Sequence, residues 1–258
     1  MYKTKKSRIP AVYRILLVAI AVMAIGGIAI NCYVGNYYRA DSIAEAAIDS
    51  DREVAVTIEK KDKRIQATQY DLRHKNYTIT FAPQDKEKAT KALIFYPGGR
   101  VQYTAYAPLM HELAKNNFVC ILVHMPGNLA VLDKNAADGI IEKYKEIYPS
   151  IQEWYMGGHS LGGAMAAEYV SKHVDEFDGL YLFAAYSTAD LSDSDLRVFS
   201  VYGSERMVCL IWTNTANTAQ TCRRIHMSMS LMAGAILILE AMVCKRETVH
   251  LMWLSRSR

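Results

Sequence analysis

The stretch Glu153-Trp154-Tyr155-Met156-Gly157-Gly158-His159-Ser160-Leu161-Gly162-Gly163 opens as a short apolar strand and closes as the first turn of a small-residue helix. Ser160 falls between the two. A serine on a tight strand-to-helix turn needs small neighbours, because the turn brings backbone so close that a side chain at Gly158 or Gly162 would obstruct it. The hydroxyl is then held clear of the sheet, beside a helix amino end whose free N–H groups can stabilise a developing negative charge. The competing reading is a glycine-rich turn that only packs the helix closely on the sheet.

The flanking pattern supports the strand-turn-helix reading. Ala92–Tyr96, Phe118–Val123, Glu153–Gly157, Gly179–Ala184 and Leu196–Tyr202 are short, mostly apolar runs. Amphipathic stretches at helical spacing lie between several of them: Ala105–Asn116, Ala136–Ile147 and Leu161–His173. Apolar strands alternating with helices predict an α/β fold with a mostly parallel sheet covered by helices on both faces, and such sheets carry their sites at the carboxyl ends of strands. Two earlier runs, Val54–Ile58 and Tyr77–Phe81, alternate like strands.

A second element of the site follows the first parallel strand, at Tyr96-Pro97-Gly98-Gly99-Arg100-Val101. A strand-turn-helix serine needs one oxyanion donor from this loop and one from the residue after the serine. Gly99 or Arg100 supplies the first N–H in this reading and Leu161 the second; an ordinary Pro-Gly-Gly turn is the alternative. His124, at a strand end followed at once by Met125-Pro126-Gly127, reads as a polar strand-end residue rather than a base, and His159 as a residue facing into the fold.

These motifs, GHSLGG, YPGGRV, HMPGNLAVLD at 124–133, the AAY strand end at 184–186 and FSVYGSE at 199–205, together resemble the bacterial alpha/beta-hydrolase group related to dienelactone hydrolases. Many members of that group carry an N-terminal membrane anchor. The resemblance covers residues 37–205, is most specific from Ala92 to Glu205, and stops there. It implies the alpha/beta-hydrolase fold, a Ser–His–Asp triad with Ser160 as nucleophile, and hydrolysis of an ester or related acyl bond in a small-molecule substrate. Gly158, His159, Gly162 and Gly163 complete the nucleophile elbow.

Ahead of this domain, Lys3, Lys5, Lys6, Arg8 and Arg14 precede an uncharged apolar run. Residues 1–14 read as a basic cytoplasmic segment, 15–34 as a transmembrane anchor, 35–52 as a polar helical linker and 53–205 as the hydrolase domain. Twenty residues at 1.5 Å each reach about 30 Å, the thickness of a bilayer core. The basic flank and Tyr33, Tyr37 and Tyr38 predict an N-in helix, which puts the hydrolase domain outside the cytoplasm. A cleaved signal peptide, with Ala24-Ile25-Gly26 as its small-x-small site, is the rival, and a buried cytosolic helix the third reading.

The remaining segment, 206–258, is off-pattern. Residues 1–205 carry 23 Lys+Arg against 24 Asp+Glu, whereas 206–258 carry 7 against 2. The formal charge of +4 therefore belongs to the tail, so it gives no reason to expect a nucleic-acid partner. All 17 Tyr and all 6 Phe also precede residue 206, so the chain reads as two unlike compositions joined near Glu205. No Cys/His spacing suggests a metal, and no cofactor is expected.

The resemblance predicts Asp-Gly directly after YGSE and Gly-Gly-x-His about 30 residues later, to supply the triad acid and base in the chain order of such folds. Neither is present. A one-register shift explains both losses, because the last base of one codon and the first two of the next then form the codon. Met207-Val208, Met232-Ala233 and Met242-Val243 each force Gly in the shifted frame, and Trp212-Thr213 forces Asp. Neighbouring codons permit Asp-Gly after the strand, Gly-Gly-x-His where the base belongs, and a tail rich in Tyr and Asp. The tail thus reads as an out-of-frame continuation that leaves the carboxyl part of the fold incomplete and the sheet edge open. A second membrane segment at Leu231–Cys244 is the rival, but it is 14 residues long with Glu240 inside. Glu205, His226 and His250 are not expected to rebuild the triad.

Overall fold

The computed structural model describes residues 10–60, 77–204, 207–214 and 217–226. The chain divides into two units, Met1–Tyr37 and Tyr38–Arg258. Within the first, α1 (Ala11–Gly35) is a single apolar helix whose side chains are exposed almost throughout. Its membrane-compatible span, Ala11–Tyr33, begins four residues before the expected anchor, because the helix takes in Arg14 and the residues ahead of it. One N-terminal apolar helix of this length fits either a membrane anchor or a signal sequence.

Among the described residues, the second unit is built on a nine-stranded sheet. Its strands are β1 (Val54–Lys60), β2 (Tyr77–Pro83), β3 (Lys91–Tyr96), β4 (Phe118–Val123), β5 (Glu153–His159), β6 (Gly179–Phe183), β7 (Arg197–Ser204), β8 (Met207–Asn214) and β9 (Asn217–His226). They lie in the order β1-β2-β4-β3-β5-β6-β7-β8-β9. The central five, from β4 to β7, pair in parallel, while β1, β2, β8 and β9 add antiparallel edges. The two early alternating runs and all five apolar runs are strands, as their patterns predict.

Among the described residues this unit has four α-helices: α2 (Ser42–Ala46), α3 (Ala107–Lys115), α4 (Ile140–Ile147) and α5 (Leu161–Val170). Side chains alternate across the sheet with period two. Ala92, Ile94 and Tyr96 of β3 join one buried cluster together with residues of α4 and α5; Leu93 and Phe95 join another with Ala107, Met110 and Leu113 of α3. Helices therefore cover both faces. β3, β4, β5 and β6 are buried on both sides, which is why their sequences are continuous apolar runs rather than alternating ones.

Three expectations differ from the structure. The stretch 136–147 becomes helical only at Ile140, since Gly139 adopts a left-handed φ of +72° and Ala136 and Ala137 are buried in the loop before it. The linker 35–52 is mostly part of the folded unit: only Ser42–Ala46 is helical, capped by the Asp41 carboxylate on the Ala44 N–H, and Ala44 is buried. The outer edge of β7 is not left open. It pairs antiparallel with β8 over Arg197–Ser204, and β8 pairs with β9 in turn. The apolar and β-branched composition of Met207–Thr213 suits such a strand. The rival membrane segment 231–244 and His250 lie outside the described residues.

The connections locate the site. From β3 the chain crosses through α3 to β4 on one side, and from β5 through α5 to β6 on the other. Because β3 and β5 are neighbours whose connections leave in opposite directions, a crevice opens between their carboxyl ends, where ligands of open α/β sheets bind.

Candidate active site

Ser160 stands at that switch point, directly between β5 and α5, at φ +50° and ψ −121°. A left-handed φ is costly for a residue with a side chain and persists only where the surroundings over-determine it. Here the Ser160 N–H donates to the Phe183 carbonyl of β6 at 2.9 Å, while the Ser160 carbonyl accepts the Ala164 N–H of α5 at 3.1 Å. The side chain is exposed.

The glycines fit as the turn requires. A Cβ on Gly158 would stand 2.6 Å from the backbone of Gly162 and Gly163. One on Gly162 would stand 2.2 Å from the Pro97 carbonyl oxygen, and one on Gly163 2.5 Å from the Ala185 Cβ. These contacts pack the elbow against the loop after β3 on one side and the end of β6 on the other. The Ala184–Ala185 end of β6 is itself unusual, with Ala184 at φ +46°, so the strand stops at Phe183.

The loop after β3 is held amide by amide. The Gly98 N–H donates to the Tyr106 phenol at 3.0 Å. The Arg100 N–H donates to the Asn128 carbonyl at 2.8 Å, Val101 to Gly98 at 3.2 Å, and Gln102 to Tyr38 at 2.8 Å. Arg100, expected as one possible oxyanion donor, therefore has its N–H committed elsewhere, with its backbone at φ +59°. Gly99 is the amide of this loop with no such partner among the described residues. A Cβ there would lie 3.1 Å from Leu161 Cδ2, so Gly99 and Leu161 are neighbours across the crevice. Leu161 is the first residue of α5, where helix geometry leaves the N–H unpaired.

His159 points into the fold, as expected, and its Nδ1 lies 2.8 Å from the Tyr106 phenol oxygen. Burial lowers the imidazole pKa, and burial pushes the Tyr106 phenol up to about 12 against the Gly98 N–H, which favours ionisation. Both groups are therefore neutral near pH 7. His124 packs edge-to-face on Tyr103, ring centroids 4.9 Å apart. Among the described residues no imidazole or carboxylate contacts the Ser160 hydroxyl.

Tyr106, Asn128 and Tyr38 belong to this arrangement, although no sequence signal gave them a role at the site. They act through one phenol oxygen and through backbone groups, from segments that only the fold brings to the crevice.

Residues 92–232 match the family model described as "Alpha/beta hydrolase family". The match runs beyond Glu205, where the motif resemblance stops. Similar solved structures include a bacterial heroin esterase (18% identity, TM-score 0.40, 55% of this chain and 48% of that one). A ferulic acid esterase is similar at 18% identity and TM-score 0.40, covering 55% and 64%. A thermostable carboxyl esterase from Bacillus coagulans in complex with glycerol gives 15% identity and TM-score 0.42, covering 54% and 47%. The chain thus spans less than two thirds of each of these proteins. No curated protein sequence matches it. With more than half of its length matched by that model, and with a nearly unbroken parallel centre whose switch point holds the GHSLGG turn, the chain belongs to the alpha/beta-hydrolase family.

Proposed function

We propose that this is a serine hydrolase lineage acting on an ester or related acyl bond, with Ser160 as nucleophile and the Gly99 and Leu161 N–H groups as the oxyanion hole. The observation that carries it is the left-handed Ser160 backbone between β5 and α5, beside two unspent amides at the switch point. In the reaction the Ser160 oxygen attacks the acyl carbon, the carbonyl oxygen takes the negative charge toward the two amides, and the serine proton passes by way of a base to the leaving oxygen. Water then hydrolyses the acyl-enzyme by the reverse proton path. The base and its orienting acid are the groups this chain lacks at their places after β7. We read residues from about 206 as a frameshifted continuation, which leaves hydrolysis impaired: loss of triad members leaves only ~10³–10⁴-fold catalysis over water.

A second reading, a non-catalytic member that binds small molecules or partners through the same crevice, is favoured by the Ser160 hydroxyl having no base against it among the described residues. Labelling the full chain with a fluorophosphonate separates the two. Covalent capture that disappears in Ser160→Ala supports the hydrolase; folded protein that is never captured supports the binding role. Resequencing the DNA between the codons for Ser204 and Cys209 tests the frameshift, and a confirmed in-frame reading overturns it as an error of sequence. For topology we propose an uncleaved N-in anchor with the hydrolase domain outside the cytoplasm, resting on the basic residues before α1. Protease digestion of the domain on intact cells supports it, and protection there overturns it.

A further inference from the structure

The loop after β3 is held by a segment that precedes the entire sheet in the chain. Tyr38 forms a parallel bridge with Val101. Its N–H donates to the Arg100 carbonyl at 2.8 Å, and its carbonyl accepts the Gln102 N–H at 2.8 Å. Two residues on, the Ala40 N–H donates to the Gln102 side-chain oxygen at 3.1 Å. Two of the three bonds are backbone to backbone and the third joins the Ala40 N–H to the Gln102 side-chain oxygen, while Tyr38 as a residue is 75% exposed.

These bonds complete the constraint on the loop. Gly98 is fixed by Tyr106, Arg100 by Asn128 and Tyr38, and Gln102 by Tyr38 and Ala40, so that Gly99 is bracketed on both sides while its own N–H stays unspent. An oxyanion donor is worth most when its direction is set before charge develops, because no reorganisation is then needed at the moment of reaction. Arg100 gains most from such support, since its φ of +59° is a strained setting for a long side chain.

We propose that residues 38–40 form a positioning strap that holds the Gly99 amide at the angle the oxyanion hole needs. The proposal rests on the acyl-transfer reading of Ser160 and adds to it the Tyr38 backbone, the Ala40 N–H and the Gln102 side chain as positioning groups. The segment directly after the apolar helix is then a working part of the site, not a spacer, and a chain cut C-terminal to Ala40 loses it.

The test uses the full chain in detergent micelles. Tyr38→Pro removes the N–H given to Arg100. Gln102→Leu removes the acceptor for Ala40, and Gln102→Glu restores an oxygen there. Amide hydrogen exchange across 98–102 is the first readout. Expected is exchange at Gln102 faster by about tenfold in Tyr38→Pro and Gln102→Leu, and within about twofold of the parent in Gln102→Glu. The maximal rate of Ser160 capture by a fluorophosphonate should fall about tenfold in the same two variants, with the half-saturating reagent concentration unchanged. Unchanged exchange in both variants overturns the strap. If Tyr38→Pro does not fold, the Gln102 pair decides. If the parent chain is never captured, the hydrolase reading falls, and the exchange comparison still decides whether the strap holds the loop.

Discussion

The Tyr106 phenol oxygen stands 2.8 Å from His159 Nδ1 and receives the Gly98 N–H at 3.0 Å, so one hydroxyl joins the loop after β3 to the residue next to Ser160. The phenol keeps its own proton while it accepts from Gly98, and giving that proton to Nδ1 places the imidazole proton on Nε2. Tyr106→Phe keeps the ring against Phe95 but strands both the amide and the nitrogen. The expected cost is about 1–3 kcal/mol for leaving buried polar groups unpaired. A fall of the unfolding midpoint by roughly 2–4 °C per kcal/mol would register it, and no shift would mean that water replaces the phenol. The ¹⁵N spectrum of the parent protein should show Nδ1 of His159 unprotonated.

Acidification acts on the same pair. Burial lowers the His159 pKa below its ordinary value of 6.5, so below that value the unfolded chain binds a proton that the folded chain does not. More protons on the unfolded state means that stability rises with pH, so this contribution is fully present above about 6.5 and is lost as pH falls toward the lowered folded value. Denaturant midpoints at pH 7.5 and 5.5 should differ in that direction, and His159→Gln should reduce the difference. An equal slope in both proteins would assign the acid sensitivity to other groups.

Gly162→Ala tests the packing of the elbow. The new methyl would stand 2.2 Å from the Pro97 carbonyl oxygen and 2.4 Å from that of Tyr96, both backbone atoms that cannot turn aside. Either α5 lifts away from the loop after β3 or that loop moves, and in both cases Gly99 and Leu161 separate. Destabilisation of about 2–4 kcal/mol, at the high end for a single added carbon, is the expected result in chemical denaturation. A loss below about 0.5 kcal/mol would show that the turn is looser than its contacts indicate.

What the sequence displays and what it hides divide along physical lines. The continuous apolar runs of β3 to β6 announce strands buried on both faces, and Gly158, Gly162 and Gly163 announce the elbow, because each is a local demand on residue type. The distinction between Gly99 and Arg100 as donor is not local. It depends on the Asn128 carbonyl, contributed by the turn after β4, and a carbonyl is a group every residue carries. Tyr38 is hidden for the same reason, since it acts through its backbone. Gly139 delays the helix expected over 136–147 to Ile140, because its left-handed backbone interrupts a stretch whose side chains keep a helical spacing. The β8–β9 pairing on the outer edge of β7 is a tertiary choice that no motif in 207–226 signals.

The reading frame after β7 supplies the most demanding prediction. The chain as it stands ends β7 at Ser204 and continues into a composition without Tyr, Phe or Asp. If the elbow and loop are a preorganised half of an acyl-transfer site, a chain continued from Arg206 in the alternative frame gains the base that accepts the Ser160 proton and the acid that orients it. Its turnover of a simple ester such as p-nitrophenyl acetate should exceed that of the present chain by about 10³-fold or more, the usual effect of a triad member. Ser160→Ala in the restored chain should return the rate to the level of the present one. Equal rates in the restored and present chains, with both folded by circular dichroism, would mean that the tail is the native ending and that the crevice serves binding, because a base placed in hydrogen-bond reach of an exposed, strained serine cannot leave its reactivity unchanged.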